Sequence, residues 1–292
     1  MLFSRLFLIS LFFSFLLGTS SFAQSYDEFI STLTKADSSN SEIRVNLKKG
    51  TDFYVGLLIS FTENDLTMNF LAGSINLKFE NIDQILIVDP NNKESVWFTN
   101  HSRNRLFLYP TAIANEAGTG YYQNIYVFFS NLSYTPFKGL SFNLFFSNIP
   151  QLTFDENIYA LGFKYNFSPI KNINFAVSAN RYGNFIDQGF NVTTFSTLGT
   201  IKLKRADFTA GLGFGSIGDE ISDPVILLGL QARLTERLIL ISENFTIPGI
   251  ESAIYSFGPR FLGKRISADL GFFLSPEDFE SAIPFVAFTT TF

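Results

Sequence analysis

Tyr159-Ala-Leu-Gly-Phe-Lys-Tyr-Asn-Phe167 decides how the rest of the chain is read. Tyr159, Leu161, Phe163, Tyr165 and Phe167 alternate with Ala160, Gly162, Lys164 and Asn166. A period of two is the mark of a β-strand. One face of this strand is aromatic, and the other carries a lysine. The pattern recurs. Phe142, Leu144 and Phe146 alternate with Ser141, Asn143 and Ser147. Phe208, Ala210, Leu212 and Phe214 alternate with Thr209, Gly211, Gly213 and Gly215. Ala268, Leu270, Phe272 and Leu274 alternate with Ser267, Asp269 and Gly271. A soluble sandwich also alternates, but its apolar faces meet in a shared core. With 37 Phe and 11 Tyr, this chain has more aromatic surface than such a core readily buries. A barrel in lipid places it outward, against acyl chains and in interfacial girdles. The predicted fold is all-β, a transmembrane antiparallel β-barrel of about 12 strands spanning residues 105–292. A small periplasmic β-domain with one short helix precedes it.

Residues 1–23 read as a signal peptide cleaved before Gln24. Arg5 gives the positive start, Leu6 to Leu17 the apolar core, and Ser21-Phe-Ala23 the small residues at the cleavage site. The apolar run is shorter than the ~20 residues of a spanning helix. No Cys follows it, which excludes an N-terminal lipid anchor. Residues 24–90 form the small domain. Tyr26, Phe29, Ile30 and Leu33 have helical spacing. Strands are predicted near 42–48, 53–62, 65–71, 75–80 and 84–88, with turns at Lys49-Gly50 and Asn64-Asp65. The polar residues of 91–104 read as an exposed linker.

Beyond residue 104 the connections alternate in charge. Basic ones are Pro136-Phe-Lys138-Gly139, Ser168-Pro-Ile-Lys171-Asn172, Lys204-Arg205-Ala206, Thr235-Glu-Arg237 and Gly263-Lys264-Arg265. Acidic ones are Phe154-Asp155-Glu156, Phe185-Ile-Asp187, Gly218 to Asp223, Pro248-Gly-Ile-Glu251 and Pro276 to Glu280. Short turns are periplasmic in outer-membrane barrels and longer loops face outward, which makes the basic turns periplasmic. These connections leave the strand count one short of even. Arg105-Leu-Phe-Leu-Tyr109 is therefore predicted as the first strand, rising to a loop at Asn115–Gly118, with Tyr121 to Tyr134 descending. Pro110 fits such a strand only at its edge, its start or a bulge.

Three resemblances follow. A helix followed by five tightly connected strands, with Gly50 and Gly56, resembles small Sm-like or SH3-like barrels; a plain five-strand meander fits as well. Nothing there is strongly basic, so no RNA-binding role follows. Arg105-Leu-Phe-Leu-Tyr-Pro-Thr-Ala, Gly118-Thr-Gly-Tyr-Tyr-Gln-Asn124 and Ser242-Glu-Asn244 resemble a group of Bacteroidota outer-membrane barrels. That resemblance implies a barrel and no activity. Phe292 at the end of Ser281-Ala-Ile-Pro-Phe-Val-Ala-Phe-Thr-Thr-Thr-Phe292, with Phe288 on the same face, resembles the C-terminal signal read by barrel-assembly machinery. It implies that machinery as a partner and outer-membrane lipid as the surroundings.

Candidate chemistry is sparse. His101 is the only histidine and cysteine is absent. A serine without a base has no ordinary route to activation, and zinc has no ligand set. An enzyme, a metal site and a cofactor are not expected. A formal net charge of −5 is no footprint for nucleic acid. The acidic stretch Asp219-Glu220-Ile-Ser-Asp223 reads as a weak divalent-cation loop or as a solvated one. Lys164, Arg233, Glu243, Arg260 and Asp269 lie inside strands. A charge on the lipid face costs up to ~2–4 kcal/mol at the midplane, so all are expected to point inward. They either line an anion-preferring pore or pair across a filled lumen. The expectation is a small-solute or structural barrel. The alternative is an accessory subunit of an outer-membrane assembly, docking a protein partner through its periplasmic domain.

Overall fold

The structure is a computed structural model. It describes residues 24–48, 53–70, 73–89, 97–186, 191–217, 220–246, 253–263, 265–275 and 278–292. Residues 1–23, expected to be a signal peptide, lie outside the described residues. The chain divides into two compact units, up to Trp97 and from Phe98.

The first unit begins with α1 (Tyr26–Ser39). Ser25 and Glu28 form a reciprocal capping box, Ser25 Oγ accepting from the Glu28 N–H at 3.3 Å and Glu28 Oε2 from the Ser25 N–H at 3.0 Å. Asn40 ends the helix in the left-handed conformation, φ 47°. Five strands follow: β1 (Glu42–Leu47), β2 (Phe53–Phe61), β3 (Asp65–Phe70), β4 (Gly73–Lys78) and β5 (Ile82–Ile87). Their order is β4-β3-β2-β1-β5. Phe29 and Leu33 of the helix pack on Ile43, Val45, Leu66, Met68 and Ile85 of the sheet. Gly56 permits the close approach of β3 to β2, because a Cβ there would lie 1.9 Å from the Asn69 carbonyl oxygen.

The second unit is a closed antiparallel barrel of 12 strands, in which pairing of β11 with β12 completes the circle. The wall strands are β6 (Thr119–Ile125), β7 (Phe129–Phe137), β8 (Leu140–Ser147), β9 (Tyr159–Ile170), β10 (Ile173–Gly183), β11 (Asn191–Lys202) and β12 (Ala206–Ile217). After a two-residue arm, β13 (Glu220–Ile221), come β14 (Val225–Arg233), β15 (Leu238–Thr246), β16 (Ala253–Leu262), β17 (Ile266–Ser275) and β18 (Asp278–Thr291). The sequence periodicity explains the wall. Leu161, Phe163, Tyr165 and Phe167 face outward and are exposed, while Ala160, Lys164 and Asn166 face the lumen and are buried. The basic connections, the start of β6 and Phe292 share one end. There β6 meets the C-terminus, with the Phe292 N–H donating to the Gly120 carbonyl at 3.0 Å and the reverse bond at 2.9 Å.

Two expectations are corrected. Arg105–Tyr109 is not the first strand. It is a tight turn with a single bridge, Arg105 to Pro110, and it lies inside the barrel. The twelfth strand instead comes from Tyr121–Tyr134, which divides into β6 and β7 around Tyr126-Val-Phe128. Tyr126 and Val127 take φ of 53° and 70°, a conformation uncommon for any residue but glycine and rarer still for a β-branched one. Of the 91–104 stretch expected to be an exposed linker, residues 91–96 lie outside the described residues; beyond them Thr99 and His101 are exposed, but Phe98, Ser102 and Asn104 are buried.

Candidate lumen site

Residues 98–118 enter and leave the barrel by the end with the basic turns. The Arg237 guanidinium, in the β14–β15 turn, sits 5.1 Å from the centre of the Phe98 ring. The Gly118 N–H donates to the Thr135 carbonyl at 2.8 Å. Between these points the segment folds into a hairpin whose tip is Leu106–Tyr109, with the Leu106 N–H bonded to the Tyr109 carbonyl at 2.8 Å. Apolar contacts seat the tip. Phe107 lies 5.0 Å from Phe285 and 6.2 Å from Phe273 between ring centres, and Tyr109 lies 5.0 Å from Phe245. Two lumen glycines make room. A Cβ on Gly229 would lie 2.2 Å from Leu106 Cδ1, and one on Gly271 would lie 3.0 Å from Phe107 Cζ.

Irregular backbone taken out of water must find partners for its N–H and C=O groups. The wall side chains supply them. Glu243 Oε2 accepts from three consecutive N–H groups, Phe107 at 2.9 Å, Leu108 at 3.0 Å and Tyr109 at 3.1 Å. Lys164 Nζ donates to the carbonyls of Asn104 at 3.2 Å, Thr111 at 3.1 Å and Ile113 at 3.2 Å. These three acceptors match in number the three protons of an ammonium. Arg260 donates to the carbonyls of Ser102 at 2.8 Å and Leu106 at 2.7 Å. Gln231 Nε2 reaches the carbonyls of Arg103 and Arg105, each at 3.1 Å.

Ion pairs fix the same segment to the wall. Arg260 and Asp269 stand opposite one another on β16 and β17 and form a forked pair, Nε to Oδ1 at 2.6 Å and NH2 to Oδ2 at 3.0 Å. Arg105 of the hairpin completes a triad, its NH1 lying 2.8 Å from Asp269 Oδ2. Arg103 makes a second fork to Asp207 of β12, both contacts at 2.6 Å. Ser102 Oγ lies 3.3 Å from Ser267 Oγ of β17.

The structure thus brings four of the five sequence-predicted lumen charges to one hairpin. Lys164, Glu243, Arg260 and Asp269 are buried, and three of them bind backbone of the hairpin directly. Arg233 stands apart at the end of β14. Its guanidinium donates to carbonyls of its own turn, Thr235 at 3.1 Å and Glu236. Phe288 and Phe292 both face outward, 57% and 38% exposed. Arg103, Arg105 and Gln231 were not singled out from the sequence. The two arginines adjoin an apolar run, Leu106-Phe-Leu-Tyr109, that was read as part of a strand, and Gln231 is one polar residue among many that face inward. Among the described residues, no group of three or more metal-ligating side chains gathers.

The hairpin does not fill the lumen. A cavity of about 230 Å³ remains between it and the wall from β6 to β10. Its lining mixes amides (Gln123, Asn131, Asn143, Asn180) with the rings of Tyr121 and Phe145.

No family model and no curated protein sequence matches this chain. Solved structures with a similar path do. A double mutant of the Rhodopseudomonas blastica porin is 9% identical, covering 87% of this chain and 99% of that one with a TM-score of 0.34. Pseudomonas aeruginosa OccK5 (OpdH) is 11% identical, covering 86% of this chain and 95% of that one with a TM-score of 0.33.

Proposed function

We propose that this is an outer-membrane barrel that passes small solutes through a lumen narrowed by its own 98–118 segment. The observation that carries it is one-sided occupancy. The side chains that grip the hairpin tip come chiefly from β14 to β17, while a polar cavity of about 230 Å³ stays open against β6 to β10. The outward aromatic faces fit lipid. In this reading residues 1–23 are removed, and residues 24–90 lie in the periplasm with the basic turns. The chain is assembled through Phe288 and Phe292. Planar-bilayer recording tests the passage. The wild-type barrel should show small unitary currents. Replacing residues 99–113 by a Gly-Ser linker of equal length should raise them severalfold. Equal currents from the two proteins would mean that the hairpin does not narrow the path.

A second reading, an accessory subunit of a larger assembly, is favoured by the first unit. Val55, Leu57 and Ile59 form an exposed apolar row along β2, and apolar rows on small domains mark interaction sites. Purification in mild detergent separates the readings, because a subunit carries a stoichiometric partner and a lone channel does not.

A further inference from the structure

We infer that the cavity beside the hairpin is a subsite for a small oxyanion, of the phosphate or carboxylate kind. The inference rests on the reading of the barrel as a solute passage and names what the passage selects. The first ground is a charge imbalance. Asp269 is taken by Arg260 and Arg105, and Asp207 by Arg103. Glu243 is taken by three backbone N–H groups. Lys164 has carbonyls around its ammonium and, among the described residues, no carboxylate within ion-pair distance. Lys164 also lines the cavity. A buried cation balanced only by dipoles sets up a positive potential in the adjoining space, and low-dielectric walls keep it from spreading.

The second ground is the lining. Asn131, Asn143 and Asn180 are half-buried on β7, β8 and β10 and border the cavity. Carboxamide N–H groups donate to oxyanions without adding charge, so they bind weakly enough to release. No carboxylate lines the cavity. At roughly 30 Å³ per water the volume holds about eight waters, enough for one phosphate or small carboxylate with part of its hydration. Lys164 supplies attraction and the amides supply contacts.

The test uses the full mature chain in detergent and in planar bilayers, with inorganic phosphate and acetate as probes and glycerol as the neutral control. The variant is Asn143→Asp, nearly isosteric and placed on the cavity wall rather than among the hairpin's bonding partners. Calorimetric titration should show saturable binding of phosphate to the wild type and none of glycerol. Binding by Asn143→Asp should be at least about tenfold weaker, as a charge a few ångströms away in a poorly solvated site dictates. In bilayers, the reversal potential in a salt gradient should report anion preference for the wild type and lose it in the variant. Binding without current would leave the subsite standing and overturn the passage. Current without anion binding, and with the same reversal potential for both proteins, would overturn the subsite and leave the passage. Equal binding of glycerol and phosphate would show a neutral-solute site and overturn it as well.

Discussion

Arg260 shows how a buried charge is retained in this barrel. Its guanidinium is fully buried, yet every contact that holds it is polar: the fork to Asp269, the Ser102 and Leu106 carbonyls, and Gln231. Removing one partner of a buried pair strands the other and costs about 3–5 kcal/mol. Arg260→Ala is therefore expected to lower the temperature at which the folded barrel loses its compact mobility on unboiled gels. It should also enlarge the unitary current, because the hairpin loses three backbone anchors, the carbonyls of Ser102, Arg105 and Leu106. Unchanged melting and unchanged current together would remove Arg260 from the hairpin's support. Glu243→Gln is milder. One amide oxygen still accepts, but three charge-assisted bonds become neutral, and bonds to charged groups are worth about 1.5–3 kcal/mol against roughly 1 for neutral ones. The same gel assay should place it between wild type and Arg260→Ala.

At the scale of elements, the hairpin and the wall fit by omission of side chains. Gly229 and Gly271 leave the space that Leu106 and Phe107 occupy. Gly229→Val would put two methyl groups where fully buried Leu106 sits. Its expected outcome is a displaced tip: faster hydrogen exchange at residues 105–110 with the wall strands still protected. Normal protection of the tip would mean that Leu106 repacks without cost. The wall was legible in the sequence because inward and outward residues differ so sharply, as in Tyr159–Phe167. Lys164, Arg260 and Asp269 were legible for the same reason, whereas Glu243 was not, because Ile239 and Ile241 share its buried face. The hairpin was not, because Leu106-Phe-Leu-Tyr109 is a short apolar run that fits a strand as well as a turn, and the strand count needed one more. Its polar needs are met by Glu243, Gln231 and Arg260, more than a hundred residues away. Pro110 was the local sign that the strand reading strained. The β6–β7 turn escaped notice because Tyr126 and Val127 adopt positive φ without a glycine, asparagine or aspartate to mark it. What the charges pair with also depended on where residues 98–118 run, and periodicity does not encode that.

At the scale of the whole molecule, the proposed function puts one compact unit in the periplasm and the other in the outer membrane. Protease added to intact cells should spare residues 24–90, and cleavage there with a sealed outer membrane would invert the topology. Deleting Phe292 should impair membrane assembly, since it removes the terminal aromatic and the paired bonds with Gly120 that close the seam. Normal abundance of that deletion would end its role as an assembly signal. The central claim is that residues 98–118 occupy the lumen of the assembled barrel. The chain has no cysteine, so a single engineered pair reports without background. Ser102 of the hairpin and Ser267 of β17 have hydroxyls 3.3 Å apart. The most direct measurement is disulfide formation in the Ser102→Cys, Ser267→Cys double variant, read by mass after mild oxidation of outer membranes and alkylation of free thiols. The account predicts near-complete cross-linking in the folded barrel, with single-cysteine variants protected from bulky maleimides. Two freely alkylated thiols in a correctly folded barrel would contradict it.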